Sequence, residues 1–231
     1  MSQLLPSFPL ATSTPYDQVW QLVGPALEQT AVMVGAVSLL TILLGLPLGA
    51  FLHNVGARGL ATNLPTYHVV GWGVNLLRSL PFLILMAAII PFTRLIVGTT
   101  IGTWAAVVPL TIASVPFYAR LAEASLRDVP PEVIDVSLAC GGSRLQTVRR
   151  VQIAEALPGL VSGFTVTVVG IIALTTLAGA LGAGGLGNLA LSYGYQLFDT
   201  HIMIATVVVL VVVVQLVQLA GDALHRYVSR G

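Results

Sequence analysis

The stretch TAVMVGAVSLLTILLGLPLGAFL, residues Thr30 to Leu52, contains no charged side chain. A helix needs roughly 20 apolar residues to cross a hydrocarbon core of about 30 Å, because each residue adds about 1.5 Å. This stretch therefore predicts a membrane-spanning helix. The whole chain agrees, since 56% of its 231 residues are hydrophobic and only 8% are charged. With a mean hydropathy of +0.92, the chain has more apolar surface than one water-soluble core can bury.

Four more apolar segments follow the first, so the sequence predicts an all-α, polytopic membrane protein with five transmembrane helices. A polar, external N-terminal arm occupies 1–25, one membrane domain occupies 26–222, and a cytoplasmic tail occupies 223–231. A long polar loop separates the third span from the fourth at 120–156. The predicted spans are 30–52, 71–97, 101–118, 157–181 and 202–219.

Arginine placement predicts the orientation of these spans, because loops rich in basic residues stay in the cytoplasm. All ten basic residues of the chain are arginines. Successive connections between spans lie on opposite sides of the membrane, which puts the loop 53–68, the loop 120–155 and the tail on the same side. These three segments hold most of the arginines. The opposite side has the N-terminal arm, a turn near Arg94 and the segment 182–200. We therefore expect the N-terminus outside and the C-terminus inside.

Several function classes are excluded by composition. The single cysteine, Cys140, allows no intrachain disulfide, and the four histidines lack metal-ligand spacing. The net charge of +1 is dispersed, which argues against binding nucleic acid. The chain contains no lysine and so has no Walker loop for ATP. No serine in a span has a base at helical spacing, so an intramembrane hydrolase is not expected.

The polar loop contains DVSLACGGSRLQTVRRVQIAEALPGL, residues Asp135 to Leu160, and ten of the nineteen formal charges of the chain fall at 120–155. We expect a first short helix at 131–140, ended by Gly141 and Gly142 in left-handed conformations. Ser143 and Gln146 then form a capping-box pattern for a second, amphipathic helix that suits the membrane surface. A solvated connection is the simpler reading, but two ordered helices with a hinge favour a docking surface.

The loop resembles the EAA loop of ABC importer permeases, on the pattern of Asp135, Val136, Ser137, Gly141, Ile153, Leu157 and Pro158. The loop departs from the usual motif of that family, because it has aspartate in place of glutamate and replaces both alanines. In that family the loop forms a coupling helix seated in a cleft of a cytoplasmic ATPase. The resemblance implies that the following residues contact the ATPase: Glu132, Asp135, Val136, Ser137, Ala139, Gly141, Gly142, Glu155, Leu157 and Pro158.

Two further stretches look like those of methionine-type importer permeases: RSLPF at 78–82 and GAGGLGNLALSYGYQLFDT at 182–200. The resemblance implies a type-1 permease fold, which works as a homodimer in the bacterial inner membrane. It also implies separate ATPase subunits that bind ATP and Mg, an external substrate-binding protein, and no cofactor in this chain. Methionine is the expected cargo. Another polar amino acid, a phosphonate or an osmoprotectant is the alternative.

The same resemblance places an apolar gate at Leu177, although a leucine in an apolar span is more often simply packed. Arg78 is either an anchor that reaches the membrane interface or a residue of the transport path. The GAGGLG stretch at 182–187 formally matches a dinucleotide fingerprint but lacks the required strand–helix context. We expect its glycines to permit a tight turn and close helix packing instead.

A different class of transporter remains as a rival. Ion-coupled carriers and channels keep ionisable residues or broken helices near the membrane midplane. Here no aspartate or glutamate falls inside a predicted span, which disfavours a secondary transporter or a channel. Dependence of uptake on ATP would separate the two classes.

Overall fold

The structure is a computed structural model that describes residues 14–229 of the chain. Within this range every regular element is helical, which confirms the predicted all-α class. The helix α7 covers 144–155 and contains a π-helical turn at Val148–Gln152. The segment Gly179–Ala183 extends the helix that begins at Leu157 but is kinked at Leu181 and Gly182, and a π-helical turn at Ala190–Gln196 extends the helix that begins at Gly185. The helices are α1 Tyr16–Val55, α2 Leu64–Ser79, α3 Phe82–Ala88, α4 Ile90–Val97, α5 Thr103–Arg127, α6 Pro131–Ala139, α7, α8 Leu157–Ala178, α9 Gly185–Leu189 and α10 Thr200–Val228.

Four of these helices are long and apolar enough to cross a membrane: α1, α5, α8 with its extension, and α10. The bent pair of α2 and α3 would supply a fifth crossing. The spans run between two ends of the bundle. We call them the α6 end, where α6 and α7 lie, and the opposite end, where α1 and α10 begin.

The predicted span 71–97 is not one helix. It is divided among α2, α3 and α4, and the axes of α2 and α3 differ by 103°. The break lies at Pro81, because a proline disfavours helical geometry in the residue before it and offers no N–H. Leu80 accordingly has extended angles, φ −77° and ψ 127°. The sequence predicted one continuous span here, and the structure shows a full break.

The first helix is longer than the predicted span 30–52, since α1 begins at Tyr16, within the predicted arm 1–25. Its first turns are helical because their apolar side chains are buried against α9 and α10. Residues 1–13 of the arm lie outside the described range. The cluster that holds this part of α1 contains Val19, Val23, Ala26, Leu186, Leu189 and Ile202.

The longest helix contact in the bundle is that between α1 and α5, which run in the same direction. A Cβ on Gly49 would lie 2.5 Å from the carbonyl oxygen of Ala119, and one on Gly45 would lie 3.0 Å from the Tyr118 ring. Gly45 and Gly49 form a GxxxG pattern, which is therefore used for packing inside this chain.

The three arginine-bearing segments meet at the α6 end. The Asn54 side chain, near the end of α1, donates to the Gln152 side-chain oxygen in α7 at 3.2 Å. In α10, His225 Nδ1 lies 3.1 Å from the carbonyl oxygen of Pro158 at the start of α8. The predicted tail 223–231 continues α10 as far as Val228, and residues 230–231 lie outside the described range.

Candidate functional site

The helix α6 is ordered but packs against little of its own chain. Pro131 occupies its first turn, where a missing N–H is harmless, and Glu132 lies in the same turn, where a negative charge suits the helix dipole. None of its residues is buried. Val136 is 63% exposed and Leu138 is 38% exposed. This helix therefore presents apolar as well as acidic side chains that nothing in the described chain covers.

The end of α6 is fixed by hydrogen bonds to its last carbonyl groups. The Gly142 N–H donates to the Ser137 carbonyl oxygen and the Gly141 N–H donates to the Leu138 carbonyl oxygen, both at 3.0 Å. This pair of bonds is a Schellman motif, which requires a left-handed residue. Gly141 supplies it with φ +82°, as predicted.

Gly142 was also predicted to be left-handed, and that prediction is wrong, since its φ is not positive. A steric requirement acts at this position instead. A Cβ there would lie 2.7 Å from the Ser137 carbonyl oxygen. The two glycines thus meet different needs in one hinge.

The helix α7 begins with the predicted capping box. Ser143 Oγ accepts from the Gln146 N–H at 3.3 Å, and the Gln146 side-chain oxygen accepts from the Ser143 N–H at 3.0 Å. Unlike α6, this helix is anchored to the body of the protein. Thr147 and Gln152 are both 0% exposed, and Thr147 Oγ1 lies 3.0 Å from Ser137 Oγ of α6. This contact joins α6 to α7.

Behind these helices, the end of α5 carries a buried ion cluster. Glu123 is 2% exposed and its carboxylate accepts from Arg120 at 2.7 Å and from Arg127 at 2.9 Å. The Tyr67 hydroxyl of α2 donates to it at 3.0 Å. A buried carboxylate is tolerated when charged and hydrogen-bonded partners satisfy it in this way.

The same cluster joins α5 to α2. Arg120 Nη2 donates to the carbonyl oxygen of Gly71 at 2.9 Å and to the side-chain oxygen of Asn75 at 3.0 Å. These bonds fix the end of α5 to α2, next to the start of α6. Sequence analysis assigned these charges to a loop and missed the cluster, although the spacing of Arg120, Glu123 and Arg127 is that of neighbouring side chains on a helix.

A cavity of about 440 Å³ lies beside the ion cluster, between the end of α1, the start of α2 and the end of α5. It is lined by cationic, imidazole and aromatic side chains together with small residues of the α1–α2 connection. The lining residues are His53, Gly56, Ala57, Arg58, Leu64, Tyr67, His68, Glu123 and Arg127.

At the opposite end, Asp199 ties the start of α10 to the segment before α1. Its carboxylate accepts from the Thr14 N–H at 2.8 Å, from the Thr14 hydroxyl, and from the N–H groups of His201 and Ile202 at 3.1 Å. Burial raises the pKa of Asp199, but these bonds outweigh burial and hold the pKa below its ordinary value. The Tyr16 and His201 rings stack at 4.2 Å. Sequence analysis did not identify this contact.

The GAGGLG segment makes the close approach that was expected of it. Gly185 has φ +78°, and a Cβ on it would lie 2.6 Å from the Thr30 hydroxyl oxygen of α1. Its N–H donates to the Gln29 side-chain oxygen at 2.8 Å, and the Leu186 N–H donates to the Thr30 hydroxyl at 2.9 Å. These glycines serve helix packing, as predicted, and a helix rather than a strand precedes them.

The predicted site residues fall into two separate groups. The coupling residues lie together at the α6 end, where Glu155 and Leu157 are exposed and Pro158 is bonded to α10. Leu177 lies near the far end of α8 and is 42% exposed. Contacts within the described chain do not bring it to the coupling residues.

Arg78 lies farther from the start of its helix than expected. Since α2 begins at Leu64 rather than near Gly71, Arg78 is about 21 Å along the helix from its start, at about 1.5 Å per residue. Its guanidinium carbon lies 5.8 Å from the centroid of the Phe117 ring, a cation–π distance. No carboxylate pairs with it within residues 14–229.

The chain is similar to known transport proteins over most of its length. Residues 45–231 match the family described as "Binding-protein-dependent transport system inner membrane component". The "Probable D-methionine transport system permease protein MetI" of Vibrio cholerae is 47% identical over 87% of this chain and 89% of its own. The "Methionine import system permease protein MetP" of Bacillus subtilis is 39% identical over 78% and 80%.

A solved structure has the same fold. A chain of the "MetNI methionine ABC transporter" in inward-facing conformations superposes with a TM-score of 0.90 at 39% identity. The match covers 93% of this chain and 99% of that one.

Proposed function

Because the chain belongs to the family of binding-protein-dependent transport system inner membrane components, we propose that it is the permease subunit of an ATP-driven methionine importer. The observation that carries the proposal is α6, an ordered helix with no buried residue and a fixed glycine end. Such a helix needs a partner to cover it. A separate ATPase, which binds ATP and Mg, fills this role in our proposal.

Two copies of the chain form the transport path, and an external binding protein delivers the substrate. In this assembly the coupling set defined by the EAA resemblance, from Glu132 to Pro158, faces the ATPase. Relatives whose names specify methionine support that cargo. Another polar amino acid, a phosphonate or an osmoprotectant is the alternative cargo, because the binding protein selects the substrate.

The α6 end faces the cytoplasm in this proposal, so the N-terminus lies outside and the C-terminus inside. The meeting of three arginine-bearing segments at that end supports this orientation. Single cysteines at Thr99 and at Arg127, each in a Cys140→Ser background, test it with an impermeant thiol reagent on spheroplasts. We expect labelling at Thr99 only, and the inverse pattern would reverse the orientation.

In this proposal, transport depends on movement of α6 about the hinge at Gly141 and Gly142. Closure of the ATPase around nucleotide moves α6, and the Ser137–Thr147 contact passes the movement to α7. The helix α7 leads directly into α8, which extends to the opposite end. The spans then alternate between inward-facing and outward-facing states. The ion cluster holds α5 still while α6 turns.

Leu177 and Arg78 contribute to the path in this proposal. An unpaired arginine within a span is expected to face a protein interior or a water-filled cavity rather than lipid. Phe117 lies about 15 Å along α5 from Arg127, so the Arg78–Phe117 contact is near the middle of a core about 30 Å thick. Leu177, exposed on α8, closes the path as an apolar gate.

Uptake by proteoliposomes tests the proposal. The permease dimer, its ATPase and the binding protein should accumulate labelled methionine only with ATP, because this chain has neither a nucleotide loop nor a midplane acid. Leu177→Ala should raise the leak of substrate without ATP, and Leu174→Ala provides a control on the same helix. Uptake by the permease alone under a proton gradient would overturn the proposal, and unchanged leak would remove Leu177 from the gate.

A further inference from the structure

The cavity beside the ion cluster has a positive environment that the transport mechanism does not use. Arg58 and Arg127 line it, and Arg120 lies behind it on the Glu123 carboxylate. Glu123 is the one carboxylate among the lining residues. Three guanidinium groups therefore lie in or beside the cavity with one carboxylate, and that carboxylate is already satisfied by Arg120, Arg127 and Tyr67.

Donors remain in this cavity for an anionic ligand. Arg58 has no acidic partner in the described range 14–229. His68 lines the cavity and is exposed, whereas the Nε2 atom of His53 is buried and does not face a ligand there. Guanidinium and imidazole groups of this kind are typical ligands of phosphate oxygens.

The position of the cavity favours a membrane source for the anion. Its lining residues come from the last turn of α1, the α1–α2 connection, the first turns of α2 and the end of α5. Ends of spanning helices lie at the level of the lipid headgroups, where tyrosine side chains are also enriched. Basic pockets at this level between helices are suited to anionic headgroups.

An apolar strip leads away from the cavity along α2. Val69 is 72% exposed, Trp72 is 69% exposed and Leu76 is 46% exposed, and their spacing puts them on one side of the helix. From His68 to Leu76 the helix rises about 12 Å, which is comparable to half of a hydrocarbon core about 30 Å thick. An acyl chain extended from a headgroup in the cavity would follow this strip.

We propose that this cavity binds the phosphate group of an anionic phospholipid, with an acyl chain lying along Val69, Trp72 and Leu76. Arg58 and His68 contact the phosphate from the α1–α2 side, and Arg127 closes the site from α5. The bound lipid joins the loop 56–63 to the end of α5, next to the point where α6 leaves the bundle.

Retention of phosphatidylglycerol tests the site. The complex of permease and ATPase is reconstituted with phosphatidylglycerol and phosphatidylcholine, extracted in mild detergent, and weighed by native mass spectrometry. The wild type should keep phosphatidylglycerol selectively. Arg58→Gln should lose about fivefold in retention, as expected for one arginine near an anionic surface, and Arg58→Gln with His68→Gln should lose more.

Arg226→Gln is the matched control, because Arg226 is an exposed arginine of the same end that does not line the cavity. It should retain lipid as the wild type does. Equal retention by the wild type and the double variant would overturn the proposal. Complete displacement of the lipid by inorganic phosphate in millimolar excess would also overturn it and assign the cavity to a free anion. ATP-driven uptake measured on the same preparations reports on the transport function separately.

Discussion

The end of α5 and the helix α6 are neighbours in sequence, but they satisfy their polar and apolar groups in opposite ways. Glu123 at the end of α5 is buried and has three donors from its own chain. The helix α6 has no fully buried residue, packs only Ile134 against the core, and leaves Val136 exposed. The first arrangement is complete without a partner, whereas the second is not. In our proposal, the difference separates residues that hold the fold from residues that face the ATPase.

Substitution of Glu123 should give the largest effect on stability. Glu123→Gln keeps the volume but removes the counter-charge of Arg120, whose side chain is largely buried, at a cost of about 3 kcal/mol. Arg127 is more than half exposed, so water compensates its charge. Thermal unfolding of the purified permease should shift to lower temperature. Tyr67→Phe is a milder change, because it removes one bond to a charged group, worth about 1.5 kcal/mol.

The account of the α5 end would be contradicted if Glu123→Gln unfolded like the wild type. It would also be contradicted if the substitution weakened ATPase binding without altering unfolding. Either result would mean that this cluster belongs to the partner surface and not to the fold.

Gly141→Val should have a smaller effect on stability and a large effect on coupling. A left-handed conformation costs a residue with a Cβ about 1 to 2 kcal/mol, and a β-branched side chain is the least suited to it. No atom lies within 4 Å of the Cβ position, so the conformation and not a clash is responsible. Co-purification with the ATPase and substrate-stimulated ATP hydrolysis should both fall.

Gly141→Asn is the control for this prediction, since asparagine adopts left-handed angles more readily than other residues. It should preserve most of the coupling. Normal coupling in Gly141→Val would show that α6 is an ordinary connection and does not have to end at this hinge.

Arg144→Ala should give the smallest effect. Arg144 is exposed on α7 and has no ionic partner within the described chain, so its loss should cost no more than the ~0 to 1 kcal/mol of a surface ion pair. Hydrolysis and unfolding should both remain near the wild type. A loss comparable to that of Gly141→Val would extend the partner surface from α6 onto α7.

The features that sequence analysis predicted correctly depend on short-range chemistry. The capping box of Ser143 and Gln146 and the left-handed Gly141 each require only residues within one turn of the helix. The cluster at Glu123 was missed because these charges were assigned to a loop, where helical spacing does not apply, and because the third donor, Tyr67, comes from α2, far away in sequence. The break at Pro81 was not predicted for a similar reason, since burial of α3 against α5 and α8 decides how sharply the chain bends there.

The position at which α1 begins also depends on residues that are distant in sequence. Its first turns contain Asp17, Gln18 and Gln21, so an apolar window begins only near Thr30. The helix nevertheless starts at Tyr16, because Val19 and Val23 pack against α9 and α10. Long-range burial of this kind leaves no signal in the local pattern.

The central claim, that α6 is a docking helix for an ATPase, is tested most directly at Cys140. This residue is the only cysteine of the chain, is exposed, and caps the end of α6. The rate of its alkylation by a maleimide is measured on the purified permease dimer with and without the ATPase. An introduced Thr99→Cys in a Cys140→Ser background is the control at the opposite end of the bundle. The account predicts that the ATPase slows the reaction at Cys140 and leaves that at position 99 unchanged. Equal rates at Cys140 in a complex that demonstrably contains both proteins would contradict it.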